Sequence, residues 1–161
     1  YSLLSIGACT LAEPQHNFYV ELKPDSKAFE KQALDVSHLS IEKLSKKGTS
    51  PREALQQFAD WVDKVLPTGA VPIFSAFNAP FDWMFVNDYF HRYLGRNPFG
   101  YKALDIKAFY MGQHGTTWAD TSLHKICQRY NCRLELPHHA LEDAIESAAL
   151  FRTILAQAVE T

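Results

Sequence analysis

Cysteine is scarce in this chain: three residues in 161, at Cys9, Cys127 and Cys132. That is too few for a disulfide-stapled scaffold. An odd number without metal-ligand spacing leads to an expectation of reduced thiols in a cytoplasmic setting. Cys9 lies in an apolar stretch and reads as packed rather than reactive. No run of 18 apolar residues occurs, so no membrane span is expected, and no secretory leader is visible. An excess of positive charge is also missing. Sixteen Lys and Arg against 18 Asp and Glu give a formal net charge of −2, which disfavours a binder relying on a globally basic surface. It does not disfavour an enzyme whose acids are neutralised by metal ions. Local basic groups do exist, at Lys43, Lys46, Lys47 and Arg52, at Arg92 and Arg96, and at Lys125, Arg129 and Arg133. Most groups of this kind are solvated surface. Repeats, low-complexity tracts and interdomain linkers are absent.

What is present suits an ordinary globular protein. Hydrophobic residues make up 47% and charged residues 21%, enough to bury a core, and residues 1–161 are expected to form one domain. Strands are expected over 2–11 and 18–23, followed by a turn at Asp25–Ser26, a short helix over 27–35 and a loop over 36–48. Ser50, Pro51 and Glu53 fit the N-cap, first and third positions of a helix. Leu55, Phe58, Val62, Val65 and Leu66 mark its buried stripe up to Pro67. A strand over 71–75, a helix from Asp82 to near Gly95, a strand over 101–106 and a helix over 106–111 come next. Gly112–Asp120 reads as a polar loop, and helices over 122–131 and 141–158 close the chain. Periodicity alone says α/β or α+β.

Two runs carry chemistry. The first, PHHALEDA at 137–144, places His138 five residues before Asp143. Five residues rotate a helical side chain by about 140°, so the pair cannot share a face if both are helical. Pro137 restricts the residue before it to extended geometry. A loop carrying His138, followed by a helix with Asp143 near its first turn, lets an imidazole swing over a carboxylate. The structural explanation is equally simple, since an acid in a first helical turn is favoured by the macrodipole alone. The second run is VPIFSAFNAPFDWMF at 71–85. VPIFS reads as a buried strand. Asp82 opens a segment with Trp83, Phe85, Val86, Tyr89, Phe90 and Tyr93 at helical spacing. An unpaired charge among aromatic rings is costly, and a metal ion or a hydrogen-bond network would offset that cost.

Together the runs resemble two motifs of the DEDDh-type 3′–5′ exonucleases, relatives of the proofreading subunit of DNA polymerase III and of ribonuclease T. Asn78, Ala79, Phe81 and Asp82 match Asn-Ala-x-Phe-Asp; His138, Ala140, Asp143 and Ala144 match His-x-Ala-x-x-Asp-Ala. SLLSIGA at 2–8 is similar to the family's second strand, and SLHKICQRYN at 122–131 to its penultimate helix, so the resemblance spans nearly the whole chain in order. It implies an α/β, ribonuclease H-like fold with a mixed central sheet flanked by helices. One departure stands out. The family's first motif, Asp-x-Glu on the strand before SLLSIGA, occurs nowhere in this sequence. An upstream segment carrying it is expected to be missing, the alternative being a relative that has lost the motif.

The resemblance implies removal of nucleotides from 3′ ends of single-stranded DNA or RNA by two-metal-ion hydrolysis. Two cations about 3.5–4 Å apart hold the attacking water and stabilise the leaving oxygen, and hard ions such as Mg²⁺ or Mn²⁺ favour carboxylates. Asp143 would be a direct ligand, Asp82 would support the metal pair, and His138 would be the general base, since imidazole exchanges protons near neutral pH. Without Asp-x-Glu, poor binding of the metal pair is expected. Asn78 is a candidate nucleotide contact, although Asn before a turn more often serves the backbone. Phe81 is a candidate base-stacking residue, while Phe77 reads as core. Asp105 matches a recurrent acidic position that is not a metal ligand. His139 and Glu142 fit the motif spacing less well and read as surface residues or outer neighbours. His114, Thr116, Thr117 and Trp118 lie in a loop able to cover a substrate strand. Three functions fit: a metal-dependent exonuclease, a catalytically inactive relative that binds nucleic acid or protein, and an unrelated α/β domain with chance matches. A homodimer and a polymerase partner are both compatible with the sequence, as are DNA and RNA.

Overall fold

The structure, a computed structural model, describes residues 1–28, 30–132 and 138–159. Arg133 and Pro137, which figured in the sequence reading, lie outside the described residues. Strands β1 (Ser5–Cys9) and β2 (Asn17–Glu21) form an antiparallel pair in which Ile6 faces Val20 and Gly7 faces Tyr19. Three helices follow, α1 (Lys31–Ser37), α2 (Ile41–Lys47) and α3 (Pro51–Val65). Strand β3 (Phe74–Ala76) leads into α4 (Ala79–Leu94) and pairs in parallel with β4 (Ala103–Asp105). Helices α5 (Ile106–His114), α6 (Leu123–Tyr130) and α7 (Ala140–Val159) complete the order, with a 3-10 turn at Trp118–Asp120. Among the described residues the strands form one antiparallel and one parallel pair. None of the described helices is long and apolar enough to cross a membrane.

Local sequence accounts for much of this. Ser50 caps α3 by accepting from the Glu53 N–H at 3.4 Å, with Pro51 at the first helical position. The α3 stripe of Leu55, Phe58 and Val62 is buried against Val86, Tyr89 and Phe90 of α4 and against Ile6 and Val20 of the antiparallel pair. Phe58 stacks on Phe18, Trp61 and Phe90. A second cluster unites Ile106 and Tyr110 of α5, Ile126 of α6, and Leu150, Phe151 and Ile154 of α7. Among the described residues there are thus two apolar clusters, and α7 spans the ground between them by also packing along β1.

Several sequence expectations are corrected. The stretch over 36–48 is not all loop, because Ser40 caps α2 there and Leu44 buries the helix. Helix α4 starts three residues before Asp82, at Ala79, since Pro80 fits a first turn. The strand expected over 71–75 is shifted to Phe74–Ala76; Val71 and Ile73 are 62% and 60% exposed. Gly112–Asp120 is not wholly loop, because α5 runs to His114 before Gly115 caps it in the left-handed region. Finally, Cys127 and Cys132 are disulfide-bonded, and only Cys9 remains a thiol. Asn131 ends α6 in the left-handed region and reverses the chain, which returns Cys132 to the turn that holds Cys127.

Candidate functional site

Asp82, Asn78 and Asp105 meet at the carboxyl ends of the parallel strands, where open α/β sheets place ligands. Ala76 ends β3 opposite Asp105, the last residue of β4. The chain then turns through Asn78, whose φ of 65° lies in the left-handed region that Asn tolerates better than most residues. The Asn78 backbone N–H donates to Asp105 Oδ1 at 3.2 Å, and the same oxygen accepts from the Lys107 N–H at 2.9 Å. One carboxylate therefore fixes both the entry to α4 and the start of α5. It is the main chain of Asn78 that is tied here; its side chain makes no cap bond. Asp82 follows in the first turn of α4, with one side open to solvent. Protein packed around its carboxyl pushes its pKa up to about 6, against its own backbone hydrogen bond and with a further push from the Asp105 charge. Phe81 beside it is 59% exposed and meets Phe85 edge-on. Phe77 is partly buried against the second cluster, as expected of a core residue.

His138 and Asp143 form the second group. Helix α7 begins at Ala140, so His138 lies outside it, as the spacing required, with φ of 57°. Its backbone N–H donates to Asp143 Oδ1 at 3.1 Å. The link is thus made by the main chain rather than by the ring, and the imidazole remains exposed beside the carboxylate. Burial raises the Asp143 pKa, with a smaller push from Glu142. The His138 hydrogen bond and the nearby imidazoles of His138 and His139 oppose the rise. His139 is held elsewhere, its ring 4.5 Å from that of Tyr19 on β2.

The position of this second group is set by a residue that sequence reasoning passed over. A side-chain carbon at Gly7 of β1 would stand 2.1 Å from the Ala140 carbonyl carbon and 2.2 Å from the Leu141 nitrogen. Only glycine lets the start of α7 settle this close to the strand. A glycine inside an apolar strand was the available signal. Tyr19 and Lys107 were also missed, since tertiary contacts alone bring them in. The charges acting on Asp82 come from Asp105, and those on Asp143 from His138, His139 and Glu142. Among the described residues, no three His, Cys, Asp or Glu side chains are grouped to hold a metal ion.

No protein-family model matches the chain. Over 154 residues it is 45% identical to the 3′–5′ DNA exonuclease Cap18 of Escherichia coli, covering 96% of this chain and 82% of that protein. Two solved structures are similar in fold. One shows 3′-end specific recognition of a histone mRNA stem-loop by a 3′-exonuclease, with a TM-score of 0.76 at 15% identity, covering 96% of this chain and 56% of that one. The other is a full-length 3′-exonuclease, with a TM-score of 0.72 at 15% identity, covering 98% and 84%. This chain therefore spans just over half the length of the first structure. The shared architecture is the mixed α/β, ribonuclease H-like fold. At 45% identity over nearly its whole length, the chain belongs to the family of 3′–5′ exonucleases, the family that its two motifs resemble.

Proposed function

We propose that this protein is a DEDDh-type exonuclease that removes nucleotides from the 3′ ends of single-stranded nucleic acid, with His138 as general base and Asp82 and Asp143 as metal-binding carboxylates. The observation that carries this reading is the bond from the His138 N–H to Asp143 at 3.1 Å. It holds an exposed imidazole beside a carboxylate whose burial disfavours its lone negative charge. DNA is the favoured substrate, because the relative at 45% identity is named a DNA exonuclease.

The donor chemistry suits Mg²⁺ or Mn²⁺. Both acids are hard oxygen ligands, and crowding raises the pKa of each, a cost that a cation would relieve. Such ions often take only one or two carboxylates from the protein and fill their shell with water and substrate phosphate. Two carboxylates do not make a full two-ion site, and by the resemblance the rest come from an Asp-x-Glu that this sequence does not contain. When bound, the ions would activate water and stabilise the leaving oxygen. His138 would accept the water proton from its place at the mouth of α7. Asp105 would keep the turn before α4 in register and so fix where Asp82 sits. Phe81 would offer its exposed ring to the terminal base.

The test is digestion of 5′-labelled single-stranded DNA and RNA with Mg²⁺ or Mn²⁺, using this chain alone and extended upstream by an Asp-x-Glu strand. A ladder shortening from the 3′ end is expected only with the extended version, and His138→Ala should slow it by about 10²–10⁴-fold. Tight binding of the oligonucleotide without any shortening by either version would instead favour an inactive binding relative.

A further inference from the structure

Trp118 is half exposed, an unusual setting for so large a ring in a loop that carries no part of either motif. Its backbone is fixed with some care. The Trp118 carbonyl accepts from the hydroxyl of Thr121 at 2.8 Å and from its N–H at 3.1 Å. Thr121 is the polar residue that is fully buried among the described residues. The other side of the turn is braced at Asp120, whose carboxylate accepts from Thr116 at 3.1 Å, Thr117 at 2.5 Å and Lys125 at 2.7 Å. An exposed ring on a backbone this well tied is preorganised, which lowers the ordering cost of binding.

The ring also has a cation and a direction. Lys107 Nζ lies 4.2 Å from the Trp118 ring centre and 5.9 Å from that of Phe77. The Lys107 backbone N–H is bound to Asp105, and Asp105 also holds Asn78 and acts on Asp82. Lys107 thus links the Trp118 ring to Asp105, the residue that organises the turn before Asp82. Single-stranded nucleic acid combines flat bases with phosphates about one nucleotide apart. A flat ring beside an ammonium group meets both needs, and such platforms tolerate any base because every base has a π face. A net charge of −2 leaves affinity to local groups of this kind.

We infer that Trp118 and Lys107 form a substrate subsite outside the two motifs, in which Trp118 stacks on an internal base of the single strand and Lys107 contacts the phosphate beside it. This extends the exonuclease reading and rests on it for the strand's direction. The subsite holds the strand behind its 3′ end, so it sets how long an oligonucleotide must be to bind well.

The experiment is a fluorescence titration of the protein with a single-stranded oligonucleotide of about a dozen nucleotides in EDTA, which prevents cleavage. The emission should be quenched, and Trp118→Phe should remove that quenching while Trp61 and Trp83 still emit. Trp118→Ala should weaken binding about tenfold or more, and Lys107→Gln should lower the salt dependence by about one phosphate contact. Unchanged quenching in Trp118→Phe, with unchanged affinity in Trp118→Ala, would overturn the subsite. The conservative Phe variant keeps the result readable if Ala disturbs the turn. Digestion separates the two claims. Trp118-dependent quenching without any 3′-end ladder, even from the version extended by an Asp-x-Glu strand, would refute the exonuclease reading and leave the subsite standing. A ladder whose KM is unmoved by Trp118→Ala would do the reverse.

Discussion

Gly7 and Asp105 do more to position the acids than their own chemistry would indicate. Any side chain at Gly7 would collide with backbone atoms of Ala140 and Leu141, which cannot swing aside as a flexible side chain can. Gly7→Ala must therefore push β1 and α7 apart. The expected cost is about 1–3 kcal/mol or more, read as a lower urea midpoint, together with a loss of cleavage larger than the stability loss explains. Asp105 is a different kind of pivot. Its Oδ1 accepts two backbone N–H groups, from Asn78 and Lys107. Asp105→Ala strips the cap from α5 and the tether from the turn before α4, with an expected loss of about 1–2 kcal/mol. Asp105→Asn keeps an acceptor and should recover part of it. Equal stability of the two variants would show that neither bond matters.

Among the elements, legibility followed how local the determinants were. Helix α3 was readable because Ser50, Pro51 and Glu53 write its start and Leu55, Phe58 and Val62 write its face. Helix α2 was not, since seven residues with Leu44 as the one buried side chain give periodicity little to act on. Val71 and Ile73 misplaced β3 because they are apolar yet exposed; the pairing with Ala103–Asp105, set by distant sequence, decides where the strand lies. Asp82, His138 and Asp143 could be singled out as candidates because their motifs are compact. Tyr19 and Lys107 were not, because folding alone brings them to the site. The pairing of Cys127 with Cys132 was also illegible, because it depends on Asn131 reversing the chain at the end of α6. That link closes a loop with a sequence separation of 5. Closing so short a loop is expected to contribute about 2 kcal/mol. Cys132→Ser should lower stability by about that amount in oxidising buffer. Adding a dithiol should bring the parent protein down to the same value; a parent indifferent to the dithiol would contradict this.

On the scale of the whole molecule, Asp25 ties the start of the chain to α4. Its carboxylate accepts from Tyr89 at 2.6 Å, from Tyr93 at 2.7 Å and from Arg92 at 2.7 Å. Tyr89 in turn accepts from the Leu3 N–H at 2.7 Å. Burial works to raise the Asp25 pKa, but the bonds from Tyr89, Tyr93, Arg92 and Ser2 outweigh it and hold the carboxyl well below the usual range. Because the folded pKa is depressed, the contribution to stability is complete above the unfolded value of about 4. It fades as pH falls further and the unfolded chain takes up the proton first. Urea midpoints between about pH 5 and pH 2 should therefore drop more steeply for the parent than for Asp25→Asn. Parallel slopes would mean that the network does not survive in solution.

The two apolar clusters have a consequence for when the protein becomes able to act. Asp82 rides on α4, which packs in the first cluster, while Asp105 caps α5, which packs in the second. Asp143 rides on α7, which buries its far end in the second cluster and rests its first turn on Gly7 of β1. The acids are thus carried by helices from both clusters, and the place of each is set only once its own cluster has condensed. A half-assembled chain, with one cluster formed and the other open, leaves at least one of these carboxylates without the packing that fixes it. Under the proposed function, assembly itself would work as a safety catch: a chain still being folded beside nucleic acid would lack the fixed carboxylates that cutting requires.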